Sequence, residues 1–352
     1  MKANCTILDD YQEAALNYGD WGRLEDKLEL SVLTEHYDSE DELAEMLKDE
    51  EILVIMRERT PFRESLLARL PKLRLLVTTG MRNASVDLDA AQRLGIAVSG
   101  TRGSSEAPIE LTWALLLGLA RHVRVETDSF RSGGPWQSTV GSDLNGRTLG
   151  LLGLGRIGTR VAEIGRAFGM NILAWSQNLT EERAAQAGVR LAASKEALLA
   201  ESDYVSVHLV LSGRTRGLLG AEELALMKPT AFLINTSRAG IVDQEALMSA
   251  LKEERIAGAG LDVFDVEPLP EDHPYRTLPN VLATPHIGYV TESNYRLYFE
   301  DAVEDIEAYL AGRPIRPVQP TRADETGHAV QRGGRRDLQQ AFGIRHEAGR
   351  HE

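Results

Sequence analysis

One segment limits what this chain can become more than any other: Thr148-Leu-Gly-Leu-Leu-Gly153-Leu-Gly155-Arg156-Ile157-Gly158. An apolar run leads straight into Gly-x-Gly-x-x-Gly, and Thr159 to Phe168 then sets Val161, Ile164, Ala167 and Phe168 on one helical stripe. Strand, tight turn and amphipathic helix follow in immediate succession. Each glycine has its own task in such a unit. Gly153 permits the turn, Gly155 lets backbone approach a pyrophosphate, and Gly158 lets helix and strand pack closely. The unpaired N–H groups and positive dipole end of the helix then attract an anion. A glycine-rich match alone often marks only a loop. With both flanking elements in place it marks a dinucleotide site, formed by Gly153, Gly155 and Gly158 with Arg156 and Ile157 between them.

The next strand, Asn171–Trp175, should end at the residue that reads the adenosine ribose. A carboxylate is usual about 20 residues past the turn, where it accepts from the ribose hydroxyls. The residue 18 positions beyond Gly158 is Ser176, followed by Gln177 and Asn178, all uncharged. No carboxylate repels a 2′-phosphate there, and no Lys or Arg precedes Arg183 to hold one. NAD is expected slightly ahead, with NADP left open.

Short apolar runs alternate with helical periodicity through most of the chain. Ile52–Met56, Leu73–Thr78, Thr148–Leu152, Asn171–Trp175, Tyr204–Leu209, Ala231–Asn235, Gly258–Val263 and Val281–Thr284 read as strands. Arg160–Phe168, Ala221–Met227 and Gln244–Glu253 read as helices between them. This alternation predicts an α/β fold with parallel sheets covered by helices. At 352 residues the chain has room for two domains and a sizeable core.

The seam falls near the loop Arg131-Ser-Gly-Gly-Pro-Trp136 and the turn Leu144-Asn-Gly146, after which the nucleotide signal begins. A separate set of strand-helix units precedes residue 103, and a helix over Thr291–Ala311 follows the second set and crosses back. The polar, Arg-rich stretch 321–352 shows little periodicity and is expected to be a disordered tail.

A net charge of −14 works against phosphate backbones and anionic lipid, so neither nucleic acid nor membrane is expected as a partner. Cys5 is the sole cysteine, which removes disulfides and zinc-finger ligand sets; no metal is expected. No signal peptide is read, and Ile109–Ala120 is too short to span a bilayer. A cytoplasmic protein is expected.

Three more motifs follow the glycine turn in order: Ile234-Asn-Thr-Ser-Arg238-Ala-Gly-Ile-Val-Asp243, Gly260-Leu-Asp262-Val-Phe-Asp-Val-Glu267-Pro268 and Thr284-Pro-His286-Ile-Gly-Tyr289. With the Gly-Leu-Gly-Arg-Ile-Gly turn, this set resembles the D-isomer-specific 2-hydroxyacid dehydrogenase family over residues 1 to about 320. The resemblance implies two Rossmann-like domains with the active site in the cleft between them. The dinucleotide-binding domain, 104–288, would be inserted into a substrate domain made of 1–103 and 289–320. It implies catalytic roles for Arg238, Glu267 and His286, and cofactor contacts from Thr236, Arg238, Asp262 and His286. Asp262 matches the aspartate near the nicotinamide carboxamide. Val205-Ser-Val-His208 with Thr215 matches the loop beside the cofactor, although Val210 stands where the family has proline. On the substrate side, Arg57 in Met56–Thr60 and Gly80-Met81 in Thr79–Asn83 match two strand-end loops. Asn83 and Ala84 depart there from the family's usual continuation.

The implied chemistry suits these residue types. A guanidinium grips carboxylate and carbonyl oxygens through a planar fork, so Arg238 and His286 would both meet the substrate. Imidazole ionises near neutrality and can give or take the proton, and Glu267 would orient the ring. Taken singly, each of the three reads more readily as a surface or structural group than as a catalytic one; their fixed order behind the glycine turn makes the joint reading catalytic. The alternatives are a dinucleotide-sensing corepressor-like protein, with the tail as its partner segment, and a phosphite- or formate-oxidising branch. The apolar run Trp113–Ala120 and the loop with Trp136 suggest a homodimer through the cofactor domain.

Overall fold

The computed structural model describes residues 2–320, so the tail expected to be disordered lies outside the described residues. The chain divides into two compact units. One comprises residues up to Ser104 together with those from Glu292 onward; the other is Ser105–Thr291. The second unit is therefore inserted into the first, with changeovers at 104/105 and 291/292 rather than at 103/104 and 288/289.

In the first unit, β1 (Ala3–Ile7), β2 (Leu28–Val32), β3 (Ile52–Ile55), β4 (Leu75–Thr78) and β5 (Ala97–Gly100) form one parallel sheet in the order β2-β1-β3-β4-β5. Ile52-Leu-Val-Ile and Leu75-Leu-Val-Thr are buried at every position, as a central parallel strand covered on both faces requires. β2 lies at the edge and exposes Glu29 and Ser31, which is why its pattern is mixed and the segment was not foreseen as a strand. The helix Glu292–Leu310 buries Tyr295, Tyr298, Phe299, Ala302, Val303 and Ile306 in this unit.

The same helix carries three fully buried polar side chains. Asn294 accepts the Ser104 N–H at 2.7 Å, and Asp301 accepts the Arg102 N–H at 2.7 Å and pairs with its guanidinium at 2.6 Å. Arg316 reaches Asp305 through Nε at 3.0 Å.

The second unit holds β6 (Thr148–Leu152), β7 (Asn171–Trp175), β8 (Arg190–Leu191), β9 (Tyr204–Val207), β10 (Phe232–Asn235), β11 (Gly258–Leu261) and β12 (Val281–Ala283). They form a parallel sheet in the order β12-β11-β10-β9-β6-β7-β8. From β6 the chain builds outward to β7 and β8, then returns to start β9 on the other side. The strand order reverses between β6 and β9, and ligands of such sheets bind beyond the strand ends at that point.

The helix Glu106–Ala120 explains the long apolar run. Trp113, Leu115, Leu116 and Leu119 are all buried, and Gly260 of β11 lets Leu115 and Leu119 approach closely. Trp113–Ala120 is core of its own unit, so it lends no support to a dimer face. Among the described residues no helix is long and apolar enough to cross a membrane.

Candidate functional site

The glycine turn has three positions with three different steric demands. Gly153 sits at φ +104°, and a Cβ there would fall 2.6 Å from the His208 carbonyl oxygen. At Gly158 a Cβ would lie 2.2 Å from the Gly153 carbonyl oxygen. Gly155 caps the helix Arg156–Ala167 without any side-chain hydrogen bond, and nothing crowds the place where its Cβ would be. Helix N–H groups thus face open space at the end of β6, an arrangement that fits a dinucleotide pyrophosphate. Arg156 is exposed and Ile157 half-buried at the helix start. The Gly153 N–H donates to the Trp175 carbonyl at 2.9 Å, which places Ser176 next to the turn.

Beside this turn, β9 ends at Val207 and delivers His208. Its Nε2 lies 2.9 Å from Ser206 Oγ, and burial pushes the imidazole pKa down to about 4. His208 is therefore a neutral ring wedged against the glycine turn. Thr215 has a structural task within the following loop: its hydroxyl accepts the Ser212 N–H at 2.8 Å and donates to the Val210 carbonyl at 2.7 Å. These bonds close the loop that begins where a proline was expected.

Arg238 stands three residues past β10. Asn235, buried at the strand end, shapes the turn that carries it: Oδ1 accepts the Ser237 N–H at 3.0 Å and Nδ2 donates to the Arg238 carbonyl at 3.0 Å. An asparagine bonding two residues onward is a local device readable in Asn-Thr-Ser-Arg. Thr236 meets the Thr112 hydroxyl at 2.8 Å, and Ser237 Oγ donates to the Leu209 carbonyl at 2.6 Å.

Glu267 and His286 come together directly. The Nδ1 of His286 is 2.6 Å from Glu267 Oε2, while Glu267 Oε1 accepts the Phe264 N–H at 2.8 Å. Tyr289 sets its ring against the imidazole, with centroids 5.6 Å apart and planes at 75°. Asp262, buried just past β11, accepts from Thr284 Oγ1 at 2.7 Å, the Ile287 N–H at 2.8 Å and the Gly288 N–H at 2.9 Å. Burial raises the Asp262 pKa, against the pull of those three donors. Arg238, Glu267 and His286 thus follow the C-terminal ends of three adjacent strands, β10, β11 and β12.

Arg57, Gly80 and Met81 lie in the first unit, beyond the ends of β3 and β4. Arg57 adopts φ +51°, its N–H donates to Thr79 Oγ1 at 2.8 Å and its Nη1 to the Thr79 carbonyl at 3.3 Å. Gly80 sits at φ +92°, and a Cβ there would meet the Arg57 Nη1 at 2.0 Å. The Gly80 N–H donates to Thr101 Oγ1 at 2.8 Å, so Gly80 contributes room and turn geometry rather than a spare donor. Met81 is exposed at 45%.

The family model of the D-isomer specific 2-hydroxyacid dehydrogenase NAD binding domain matches residues 113–288. A glyoxylate reductase of Aeropyrum pernix is 43% identical over 258 residues, 70% of this chain and 76% of that one. A phosphoglycerate oxidoreductase from Vibrio cholerae superposes with a TM-score of 0.84 at 38% identity, covering 89% of this chain and all of the other. A D-lactate dehydrogenase from Aquifex aeolicus, solved with NAD and lactic acid, gives a TM-score of 0.72 at 31% identity over 88% of this chain and 96% of that one.

Proposed function

This chain belongs to the D-isomer specific 2-hydroxyacid dehydrogenase family, and we propose that it interconverts a small D-2-hydroxy acid and its 2-oxo acid with Arg238, Glu267 and His286 as the catalytic residues. The observation that carries this is the 2.6 Å contact between His286 Nδ1 and Glu267 Oε2 at strand ends adjacent to that of Arg238. A nicotinamide dinucleotide bound there would supply the hydride to C2 in reduction and take it up in oxidation. Gly153, Gly155, Arg156, Ile157 and Gly158 would hold its pyrophosphate, Ser176 its ribose, and His208, Thr236 and Asp262 would lie along it.

Arg238 binds the substrate carboxylate and carbonyl oxygen through its planar fork. With Nδ1 committed to Glu267, the free Nε2 of His286 donates a proton to the carbonyl oxygen in reduction and accepts it from the hydroxyl in oxidation. Glu267 holds the ring in that orientation, itself anchored by the Phe264 N–H. Arg57, Gly80 and Met81 remain the further candidates for substrate binding, on the strength of the motifs they match.

NAD is the expected cofactor, slightly ahead of NADP, because Ser176 carries no charge to repel a 2′-phosphate and no cation precedes Arg183 to pair with one. A homodimer is supported by Phe130 and Trp136, exposed at 69% and 81% with ring centroids 6.1 Å apart. Glu126 fixes the segment behind them by accepting the Ser138 N–H at 3.1 Å and the Thr139 N–H at 2.6 Å. A cytoplasmic site of action accords with Cys5 being the sole cysteine, which leaves no internal disulfide to form. The test is NADH and NADPH oxidation by the purified protein against glyoxylate, hydroxypyruvate, pyruvate and longer 2-oxo acids. Turnover of none of them would overturn the reading.

A further inference from the structure

Arg57, two residues past β3, holds a left-handed backbone conformation at φ +51°. Residues other than glycine seldom stand there, and they persist only where their surroundings over-determine them. Both backbone polar groups of Arg57 are taken by side chains of the loop after β4. Its N–H donates to Thr79 Oγ1 at 2.8 Å, and its carbonyl accepts from Asn83 Nδ2 at 2.5 Å. Thr79 and Asn83 are themselves buried. The register brings them there: Ile55 pairs with Thr78 and accepts the Thr79 N–H at 3.0 Å, so the two loops leave the sheet side by side.

We propose that Thr79 and Asn83 are positioning residues for Arg57: they fix its backbone from both sides and so lay its guanidinium across the Gly80 turn as an anchor for the anionic substrate. The guanidinium fills the hollow that Gly80 leaves, with Nη1 2.0 Å from where a Cβ would be and donating to the Thr79 carbonyl at 3.3 Å. One loop therefore grips Arg57 at three points, its N–H, its carbonyl and its guanidinium. Glu58 Oε2 stands 3.6 Å from Nε, and the Arg57 side chain keeps 23% of its surface exposed, so the cation is still reachable.

The Asn83 amide is used to capacity. Its NH2 serves the Arg57 carbonyl and Thr78 Oγ1, the latter at 2.9 Å, while its oxygen accepts the Ser85 N–H at 2.8 Å. A carboxylate has no proton for the Arg57 carbonyl, and an aliphatic side chain answers none of the three partners. Asn83 is one of the two residues at which this loop departs from the family's usual continuation. The grip on Arg57 is what the departure supplies.

The role given to Arg57 rests on the dehydrogenase reading, and the test separates the two. It is a double-variant cycle on the 2-oxo acid that the parent reduces best. Thr79→Val and Asn83→Ala should each raise KM by about 3- to 20-fold, with kcat and the NADH dissociation constant within about twofold of the parent. Thr79→Ser keeps the hydroxyl and should stay within about twofold in KM. Arg57→Ala should raise KM by about 10-fold or more, and adding either loop variant to it should change KM by no more than about twofold, because the group they position is gone. Loop effects that add in full to Arg57→Ala would overturn the proposal, as would parental KM in Arg57→Ala or in both loop variants. Should Asn83→Ala fail to fold, Thr79→Val with its Thr79→Ser rescue decides. If the parent reduces no 2-oxo acid, the dehydrogenase reading falls and amide hydrogen exchange at Arg57 decides the grip. Exchange should quicken in Asn83→Ala and keep its parental rate in Thr79→Ser; an unchanged rate in Asn83→Ala would overturn the grip as well.

Discussion

The His286 imidazole is bonded through Nδ1 to Glu267 Oε2 at 2.6 Å, and the other oxygen of that carboxylate is held by the Phe264 N–H at 2.8 Å. The carboxylate thus has one oxygen tied to its own turn and one tied to the ring. This leaves a single ring nitrogen, Nε2, uncommitted to that carboxylate.

His286→Ala should accordingly lower turnover by roughly 100-fold or more, the usual worth of positioned acid-base assistance, while NADH binding stays near that of the parent. Arg238→Ala should act mainly on substrate capture, raising KM steeply. Steady-state kinetics with an NADH titration on each variant check both. Parental turnover by His286→Ala would remove the acid-base assignment.

Cofactor choice turns on Ser176. Discrimination in the parent should be modest, on the order of tenfold or about 1.4 kcal/mol, with NAD ahead. Ser176→Asp introduces a carboxylate that accepts the ribose hydroxyls and repels a 2′-phosphate, so it should sharpen the NAD preference chiefly by weakening NADP. Ratios of kcat/KM for the two cofactors in both proteins measure this. A thousandfold NADP preference in the parent would contradict it.

Asp305 makes the stability of the first unit depend on pH. Burial pushes its carboxyl up to about 8, against the pull of Arg316, and Oδ2 is buried with no hydrogen-bond partner. An unfolded aspartate titrates near 3.9. Between about pH 4 and pH 8 the folded chain holds a proton that the unfolded chain has released, so this group's contribution falls as pH rises. Asp301 nearby works oppositely: burial alone would raise it, but Arg102 and Arg316 bring it down, and its contribution is lost in acid. Asp305→Asn keeps an oxygen for Arg316 and removes the ionisation. Thermal unfolding at pH 5 and pH 8 should show a smaller loss of Tm across that interval in Asp305→Asn than in the parent. An equal loss in both proteins would rule Asp305 out as the cause.

Phe130 and Trp136 should mark the contact face of the dimer. Trp136→Ser, alone or with Phe130→Ser, should shift the mass found by light scattering at micromolar concentration from two chains toward one. Both positions are highly exposed, so the fold should tolerate the change. A parent protein with the mass of a single chain would exclude the dimer.

Much of the site was legible in the chain because its causes are local. Gly153 and Gly158 stand where no side chain fits and Gly155 leaves the helix start open, and Asn235 announces the Asx turn that carries Arg238. The strands of uniform apolar character, such as Ile52–Ile55 and Thr148–Leu152, declared themselves by composition. Ala3–Ile7, Leu28–Val32, Ala97–Gly100 and Arg190–Leu191 did not, because they are short, polar in part or at a sheet edge, where pairing with a neighbour does what apolar character does elsewhere. The apolar run Trp113–Ala120 misled in the other direction: one dimension cannot distinguish a helix buried in its own unit from one awaiting a partner.

The order of residues by itself determined the alternation of strands and helices, the anion-binding turn and the presence of an arginine, a carboxylate and a histidine suited to 2-oxo acid chemistry. Only the tertiary structure decided which groups meet. Glu267 reaches His286, 19 positions further along the chain, because β11 and β12 pair in parallel and end together. Asp262 spends its oxygens on Thr284, Ile287 and Gly288 for the same reason, and His208 comes to lie beside Ser206 and the glycine turn, where burial lowers its pKa. Backbone conformation answers to near neighbours in the chain, whereas hydrogen-bond partners and desolvation answer to neighbours in space, and those exist only once the strands have taken their order in the sheet.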